Sequence, residues 1–305
     1  MRHRWTGCGT ALVTPFTAGG TLDEATLRAL VRRQVESGIH FLVPCGTTGE
    51  NPTLSPAERR RVVEIAVEAA NGRVPVLAGA GGYDTAEVVR LAREMAAAGA
   101  QGLLSVTPYY NKPTPDGLVR HYQAIADATP LPIVVYNVPG RTGSNVDPAT
   151  LARLAAIPNV AGVKEASGNM SQICDVCGAV PDDFIVLSGD DALTLPVMAA
   201  GGRGIISVAS NEAPAEMVAM VEAAERNDFA AARAVHRRLL PLMQVNFVES
   251  NPVPVKAALA MMGLLALVYR LPLVAPRDSS AARIRDVLAS LDLLPAARRA
   301  AAGTR

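Results

Sequence analysis

The sequence predicts an α/β protein, a (β/α)8 (TIM) barrel with a C-terminal helical appendage. Eight short apolar segments rich in β-forming residues recur, their starts roughly 20 to 35 residues apart. Amphipathic helical patterns fill the gaps, and no strand pattern remains after residue 226. Nearly continuous apolar strands are typical of a parallel sheet buried on both faces, and eight strand–helix alternations favour its closure into a barrel.

The predicted strands are defined by their apolar, β-rich composition. They are Thr6–Val13, Phe41–Gly46, Val74–Ala80, Gly102–Pro108, Ile133–Val138, Val160–Ala166, Phe184–Ser188 and Gly204–Ala209. An open doubly wound sheet is the alternative architecture. It usually carries a glycine fingerprint after its first strand, whereas Gly7-Cys8-Gly9 lies at the start of that strand.

Helices are predicted between the strands by apolar residues that share one helical face. In the first predicted helix these residues are Leu27, Leu30, Val31 and Val35. Helix starts are indicated by Ser55-Pro56 with Glu58, by Asp84 with Glu87, and by Asp147-Pro148. Gly38 and Gly99 lie where two helices are expected to end.

The chain is expected to divide into a barrel, residues 1–225, and a helical extension, residues 226–305. The extension is predicted to contain helices at Phe229–Val248, Val253–Met262 and Ser279–Leu291. We expect it to pack on the barrel or on a neighbouring subunit.

Composition excludes several classes of function. Lys plus Arg total 29 and Asp plus Glu total 28 in 305 residues, so no basic excess indicates a nucleic acid or an anionic membrane as partner. The longest apolar run, Ala257–Tyr269, is shorter than the roughly 18–20 residues that cross a bilayer. We therefore expect a cytoplasmic protein.

The four histidines show no ligand spacing and the four cysteines include one CxxC pair, so no metal site is predicted.

Lysine is scarce, with only Lys112, Lys164 and Lys256 in the chain. Arginine stays protonated, so only a lysine can supply a neutral amine that attacks a carbonyl. Lys164 lies in the sixth predicted strand, where it should point into the barrel mouth; desolvation there should favour the neutral amine and allow Schiff-base formation. The alternative is a salt bridge with Glu165, although neighbours on a strand face opposite sides. Lys112, in a Pro-rich loop, and Lys256, in the extension, are weaker candidates.

Other polar residues follow the strands at the end where barrel enzymes place their active sites. Tyr136 could relay protons or simply satisfy a buried hydrogen bond. Thr47 and Thr48 could bind a carboxylate, but their Gly-Thr-Thr-Gly segment equally suits a tight turn. Arg141 could clamp a carboxylate or remain a solvated loop charge.

Several motifs in order make the chain resemble the dihydrodipicolinate synthase family of pyruvate-dependent class I aldolases. They are Gly46-Thr47-Thr48-Gly49-Glu50, Tyr109-Tyr110-Asn111-Lys112-Pro113, Tyr136-Asn137-Val138-Pro139-Gly140-Arg141-Thr142-Gly143, Gly162-Val163-Lys164-Glu165-Ala166 and Asn251-Pro252-Val253-Pro254-Val255-Lys256. The resemblance covers all but the extreme ends of the chain.

The resemblance implies a lyase that condenses pyruvate with aspartate 4-semialdehyde, toward diaminopimelate and lysine, without a cofactor beyond a covalent Schiff base. It implies Lys164 as the Schiff-base lysine and Tyr136, Thr47 and Tyr110 as a proton relay, the last donated by a neighbouring subunit. The remaining implied contacts are Thr48, Gly189 and Ile206 around pyruvate and Arg141 at the semialdehyde carboxylate. A homotetramer is also implied.

Two rival functions remain at this point. A sister pyruvate aldolase, such as N-acetylneuraminate lyase or a 2-keto-3-deoxy sugar-acid aldolase, would share Lys164 and Tyr136, and a non-catalytic barrel is the alternative from another class. The chain also departs from lysine-sensitive relatives, which have histidine and asparagine at positions equivalent to Pro56 or Arg59 and Tyr83. We therefore expect weak or absent inhibition by lysine.

Overall fold

Eight parallel strands form the centre of the fold, as predicted. The computed structural model describes residues 5–295. The strands are β1 (Gly7–Ala11), β2 (Phe41–Val43), β3 (Leu77–Gly79), β4 (Gly102–Val106), β5 (Ile133–Asn137), β6 (Val160–Glu165), β7 (Ile185–Ser188) and β8 (Gly204–Ser207). Their order is β2-β1-β8-β7-β6-β5-β4-β3, and a parallel bridge between Leu42 and Val76 joins the two ends. The sheet is therefore a (β/α)8 barrel and not an open doubly wound sheet.

Strands β2 and β3 are shorter than the predicted Phe41–Gly46 and Val74–Ala80. Pro44 and Pro75 carry no backbone N–H and cannot donate to a strand ladder. Cys45 also has a φ of 58°, which takes the chain out of extended conformation directly after β2. The chain consequently turns early into the loop that follows β2.

Twelve α-helices surround and extend the barrel within residues 5–295. They are α1 (Glu24–Glu36), α2 (Pro56–Ala70), α3 (Thr85–Ala97), α4 (Pro115–Ala128), α5 (Pro139–Thr142), α6 (Pro148–Ala155), α7 (Met170–Ala179), α8 (Thr194–Ala199), α9 (Pro214–Glu225), α10 (Phe229–Val245), α11 (Val253–Met261) and α12 (Asp278–Ser290). The three predicted helices of the extension correspond to α10, α11 and α12.

The predicted helix start and end signals are confirmed with one correction, while α10 ends at Val245 and not at the predicted Val248. Ser55 and Glu58 form a reciprocal capping box at the start of α2. Asp84 caps α3 by accepting from the backbone N–H of Ala86 at 3.0 Å, but Glu87 pairs with Arg90 and does not reach back to the cap. Gly38 and Gly99 follow α1 and α3 with φ of +82° and +91°, a conformation that glycine adopts without steric cost.

Most of the buried apolar side chains lie in two of three clusters. Large residues such as Trp5, Phe41 and Leu187 fill the barrel interior, and Tyr136 lies at the top of this cluster. A second, larger cluster lies between the strands and the surrounding helices. A closed, filled barrel leaves only the ends of the strands free to form a cleft.

The extension continues directly from the last barrel helix. Helix α10 packs against α9, and α12 packs against α10 and α11. The predicted division at residue 225 coincides with the end of α9 and stays a prediction, while residues 296–305 lie outside the described part. Within residues 5–295, no helix combines the length and the apolar character that crossing a membrane requires.

Candidate active site

A cleft opens at the carboxyl ends of the strands. The part that reaches Lys164, here called the inner cavity, has a volume of about 120 Å³, and the adjoining part, here called the outer cavity, has a volume of about 250 Å³. The two parts share Thr47, Tyr136, Val138 and Arg141, so they form one continuous cleft. Six of the eight predicted site residues line it, which are Lys164, Tyr136, Thr47, Thr48, Arg141 and Gly189.

Lys164 lies in the inner cavity because of its register on β6. Its backbone pairs with Tyr136 of β5 on one side and Leu187 of β7 on the other. The Lys164 Nζ lies 4.3 Å from the centre of the Tyr136 ring, and the two residues are 6% and 7% exposed. An amine and a phenol are thus held side by side, away from bulk water.

The alternative salt bridge between Lys164 and Glu165 does not form. The Glu165 carboxylate accepts from Asn137 Nδ2 at 2.9 Å and from the backbone N–H of Ser167 at 2.8 Å. Within residues 5–295, no carboxylate lies within ion-pair distance of Lys164. The Lys164 amine is therefore free to meet a ligand.

The segment after β2 is a tight turn that also presents hydroxyl groups to the cleft. The backbone N–H of Gly49 donates to Gly46 O and that of Glu50 donates to Thr47 O, each at 3.1 Å. Thr47 is half-buried and lines both parts of the cleft. Thr48 is buried, and its Oγ1 accepts from Asn251 Nδ2 at 2.9 Å. Turn geometry and ligand binding are thus compatible here.

Arg141 lies on the short helix α5, directly after β5. Its guanidinium is exposed at the rim of the cleft and donates to the backbone carbonyl of Asn251 at 3.2 Å. One hydrogen bond leaves most of the five guanidinium N–H donors available for a bidentate contact with a carboxylate.

Gly189 follows β7 and lies against the Lys164 side chain. A Cβ atom at this position would be 3.1 Å from Lys164 Cε and 2.5 Å from Ala166 Cβ. Only glycine therefore fits between the lysine and its neighbours. Ile206 is fully buried in the barrel interior and does not line the cleft in this chain.

Tyr110 lies outside the cleft of its own chain. The residue is 88% exposed and adopts a φ of 67°. Nearby, the rings of Tyr83 and Tyr109 meet edge to face with centres 5.1 Å apart, and Tyr109 lines the outer cavity. Within one chain, the predicted relay therefore contains Tyr136 and Thr47 without Tyr110.

The other two lysines differ sharply in exposure. Lys112 is exposed with a φ of 42°, as expected for a loop residue. Lys256 is completely buried and pairs with Glu50, whose side chain is also fully buried. Burial lowers the pKa of Lys256, and the Glu50 carboxylate opposes that shift. Neither residue lines the cleft.

Sequence reasoning missed several residues of the site. Asn251 is 6% exposed, lines the inner cavity and contacts both Thr48 and Arg141. Val138 and Phe247 supply apolar walls. Asn251 opens one of the motifs that carry the resemblance, so that motif was the available signal. No group of residues suited to holding a metal ion occurs in the part of the chain described, residues 5–295.

Comparisons with known proteins show what this chain is similar to. A family model described as the dihydrodipicolinate synthetase family matches residues 4–291. A curated 4-hydroxy-tetrahydrodipicolinate synthase from Koribacter versatilis is 56% identical over 289 residues, which cover 94% of this chain and 96% of that protein. The crystal structure of dihydrodipicolinate synthase from Thermotoga maritima is 46% identical, with a TM-score of 0.94, and the match covers 96% of this chain and 100% of that one. The enzyme from Aquifex aeolicus also gives a TM-score of 0.94, at 41% identity and the same coverage.

Proposed function

The chain belongs to the dihydrodipicolinate synthetase family, and we propose that it performs that family's reaction through a Schiff base on Lys164. The reaction condenses pyruvate with aspartate 4-semialdehyde to give 4-hydroxy-tetrahydrodipicolinate. The observation that carries the proposal is the buried Lys164 amine, which has no carboxylate partner within residues 5–295 and lies beside Tyr136 in the cleft.

The proposed reaction begins with attack of the neutral Lys164 amine on the keto carbon of pyruvate. A C–N bond forms, and the keto oxygen leaves as water once it has received protons, giving an iminium ion. The iminium accepts electrons when a methyl proton is lost, so an enamine forms. Its terminal carbon bonds to the aldehyde carbon of the second substrate as the aldehyde C=O π bond opens; the aldehyde oxygen takes a proton and becomes a hydroxyl, and the enamine returns to an iminium. The substrate amine then attacks the iminium carbon, and the ring closes as Lys164 is expelled.

Proton transfer is assigned to Tyr136, Thr47 and Tyr110. Tyr136 is next to the lysine, and Thr47 lines the same cavity. Because Tyr110 is exposed and lies outside its own cleft, we propose that a neighbouring copy of the chain supplies it. This role of Tyr110 favours assembly into the homotetramer that the resemblance implies.

Substrate binding is assigned to the remaining cleft residues. Thr48 would bind the pyruvate carboxylate and Gly189 leaves room for the bound intermediate beside Lys164. Ile206 would support the pocket from the barrel interior, because it does not reach the cleft itself. Arg141, with free donors at the rim, would bind the carboxylate of the semialdehyde.

The proposed enzyme needs no external cofactor because the lysine itself supplies the electron sink. We also propose that it acts in the cytoplasm. All four cysteines are free, and reducing compartments keep thiols in that state.

One experiment tests the chemistry and the substrate together. Pyruvate and borohydride should trap an adduct on Lys164, and Lys164→Arg should trap none. A coupled assay should then give turnover with aspartate 4-semialdehyde and much less with sugar aldehydes. Turnover with sugar aldehydes alone would favour the sister aldolases, and a wild-type chain without a pyruvate adduct would favour a non-catalytic barrel.

A further inference from the structure

A buried lysine–carboxylate pair lies behind the cleft. The Lys256 ammonium contacts the Glu50 carboxylate, and both side chains are completely buried. The Lys256 Nζ also lies 4.4 Å from the centre of the Phe16 ring and 5.3 Å from that of Tyr269. The two charges therefore have one another and aromatic faces in place of water.

A buried ion pair of this kind contributes little to the free energy of unfolding. Removing two charges from water costs free energy that their attraction only partly offsets, so apolar residues of similar volume often stabilise a protein as well or better. The position of the pair in the chain indicates what else it does. Lys256 and Glu50 are 206 residues apart in sequence, and each belongs to a segment that reaches the cleft.

Glu50 belongs to the turn that carries Thr47 and Thr48. Its backbone N–H donates to Thr47 O at 3.1 Å, and its own carbonyl accepts from the Thr53 N–H and Oγ1, each at 3.0 Å. Its φ of 54° lies in the left-handed region. Holding the Glu50 side chain therefore fixes one end of the Thr47–Thr48 turn.

Lys256 belongs to the segment that carries Asn251. Asn251 contacts Thr48 Oγ1 through its side chain and Arg141 through its carbonyl, and Lys256 follows five residues later in helix α11. The pair thus joins the two segments behind the cleft, while the Asn251–Thr48 hydrogen bond joins them inside it.

Arg270 strengthens the same connection. Its backbone N–H approaches Glu50 Oε2 at 3.4 Å, and its guanidinium donates to Thr53 O at 3.0 Å and to the Glu58 carboxylate. The guanidinium also lies 4.2 Å from the centre of the Phe16 ring. The chain after β2 is therefore held at Glu50, Thr53 and Glu58 by residues of the C-terminal extension.

We propose that Glu50 and Lys256 are positioning residues that fix the Thr47–Thr48 turn against Asn251, so that both threonine hydroxyls meet pyruvate bound at Lys164. The proposal rests on the proposed function. It assigns the helical extension a role in catalysis through the geometry of the turn, although Glu50 and Lys256 do not touch the cleft.

The test uses the full-length double variant Glu50→Gln with Lys256→Met, which removes both charges and leaves neither one unpaired. We expect a melting temperature close to that of the wild type. We also expect at least a tenfold loss in kcat/KM and at least a tenfold rise in the pyruvate concentration that gives half-maximal borohydride trapping. The adduct should still form on Lys164, which separates this proposal from the Schiff-base assignment. Wild-type chain that traps no pyruvate would overturn the proposed function instead.

Leu288→Ala is the matched control, because it opens a cavity in α12 away from the cleft and should lower the melting temperature without changing kcat/KM. A double variant with wild-type kcat/KM and wild-type pyruvate dependence would overturn the proposal. If the double variant does not fold, Glu50→Asp is used in its place, because aspartate keeps the negative charge on a shorter side chain. Wild-type kinetics in a folded Glu50→Asp would then overturn the proposal, and unfolding of both variants would make the pair structural only, which overturns it as well.

Discussion

Gly189→Ala tests the close packing around the reactive lysine. The added methyl carbon would lie 2.5 Å from Ala166 Cβ, 3.1 Å from Lys164 Cε and 3.1 Å from Glu165 O. Non-bonded carbon atoms prefer separations of about 3.5–4.0 Å, so relief of the closest contact requires a shift of about 1 Å. The end of β6 or the end of β7 must therefore move, and Lys164 on β6 shifts relative to the rest of the cleft.

The expected loss follows from that shift. Misplacement of a reacting group by about 1 Å can reduce the rate about 100-fold. We therefore expect kcat/KM to fall about 100-fold, equivalent to about 2.7 kcal/mol of transition-state stabilisation. Overpacking should also lower the free energy of unfolding by about 1–3 kcal/mol.

The measurements are steady-state kinetics, the rate of borohydride trapping with pyruvate, and denaturant unfolding. Gly178→Ala is the control, because Gly178 lies in α7 and has no atom within 4 Å of the added carbon. That control should gain about 0.5–1 kcal/mol of stability from better helix propensity and keep wild-type kinetics. A Gly189→Ala enzyme with kcat/KM within twofold of the wild type would refute the steric reasoning.

Three further predictions concern the rim, the fold and regulation. Arg141→Ala should raise the KM for aspartate 4-semialdehyde at least about tenfold, because a hydrogen bond to a charged group contributes about 1.5–3 kcal/mol. Pyruvate trapping should stay unchanged, and equal losses with both substrates would contradict this assignment. Burial lowers the pKa of His121 from 6.5 to about 4. Between these two pH values the unfolded state binds more protons than the folded state, so the free energy of unfolding falls as the pH drops. The loss should be about 3 kcal/mol between pH 6.5 and 4 in denaturant titrations and largely absent in His121→Phe; an equal loss in that variant would assign it to other groups. Millimolar free lysine should leave the initial rate nearly unchanged, because Pro56 or Arg59, and Tyr83, lie where the resemblance implies the histidine and asparagine of lysine-sensitive relatives. Strong inhibition would show that another set of residues binds lysine.

Much of the fold could be predicted because local patterns and barrel topology agree. Each predicted strand contains an observed one, and the end of each helix near Gly38 or Gly99 follows from backbone freedom alone. The errors occur where adjacent residues of the same chain determine where a strand ends or which partner a side chain binds. Strand β2 ends at Val43 because Pro44 and Cys45 cannot continue the hydrogen-bond ladder. Glu87 forms an ion pair with Arg90, one helical turn away, and therefore does not cap the start of α3.

The position of a site residue could be predicted most directly where that residue lies at the end of a strand. Lys164, Tyr136 and Gly189 lie at strand ends, so register alone brings them together. Asn251 and Lys256 reach the barrel from an extension whose docking no local pattern specifies. Tyr110 could not be located by register either, because it is an exposed residue of the loop after β4 and its proposed role depends on a second copy of the chain.

The three lysines occupy three distinct surroundings, since Lys112 is exposed, Lys164 lies in the cleft and Lys256 is sealed against Glu50. A sample enriched with ¹⁵N in lysine side chains alone would contain only these three labelled amines. Nuclear magnetic resonance could then follow the ionisation of the cleft amine in the unaltered chain, with the surface amine as an internal reference in the same spectrum.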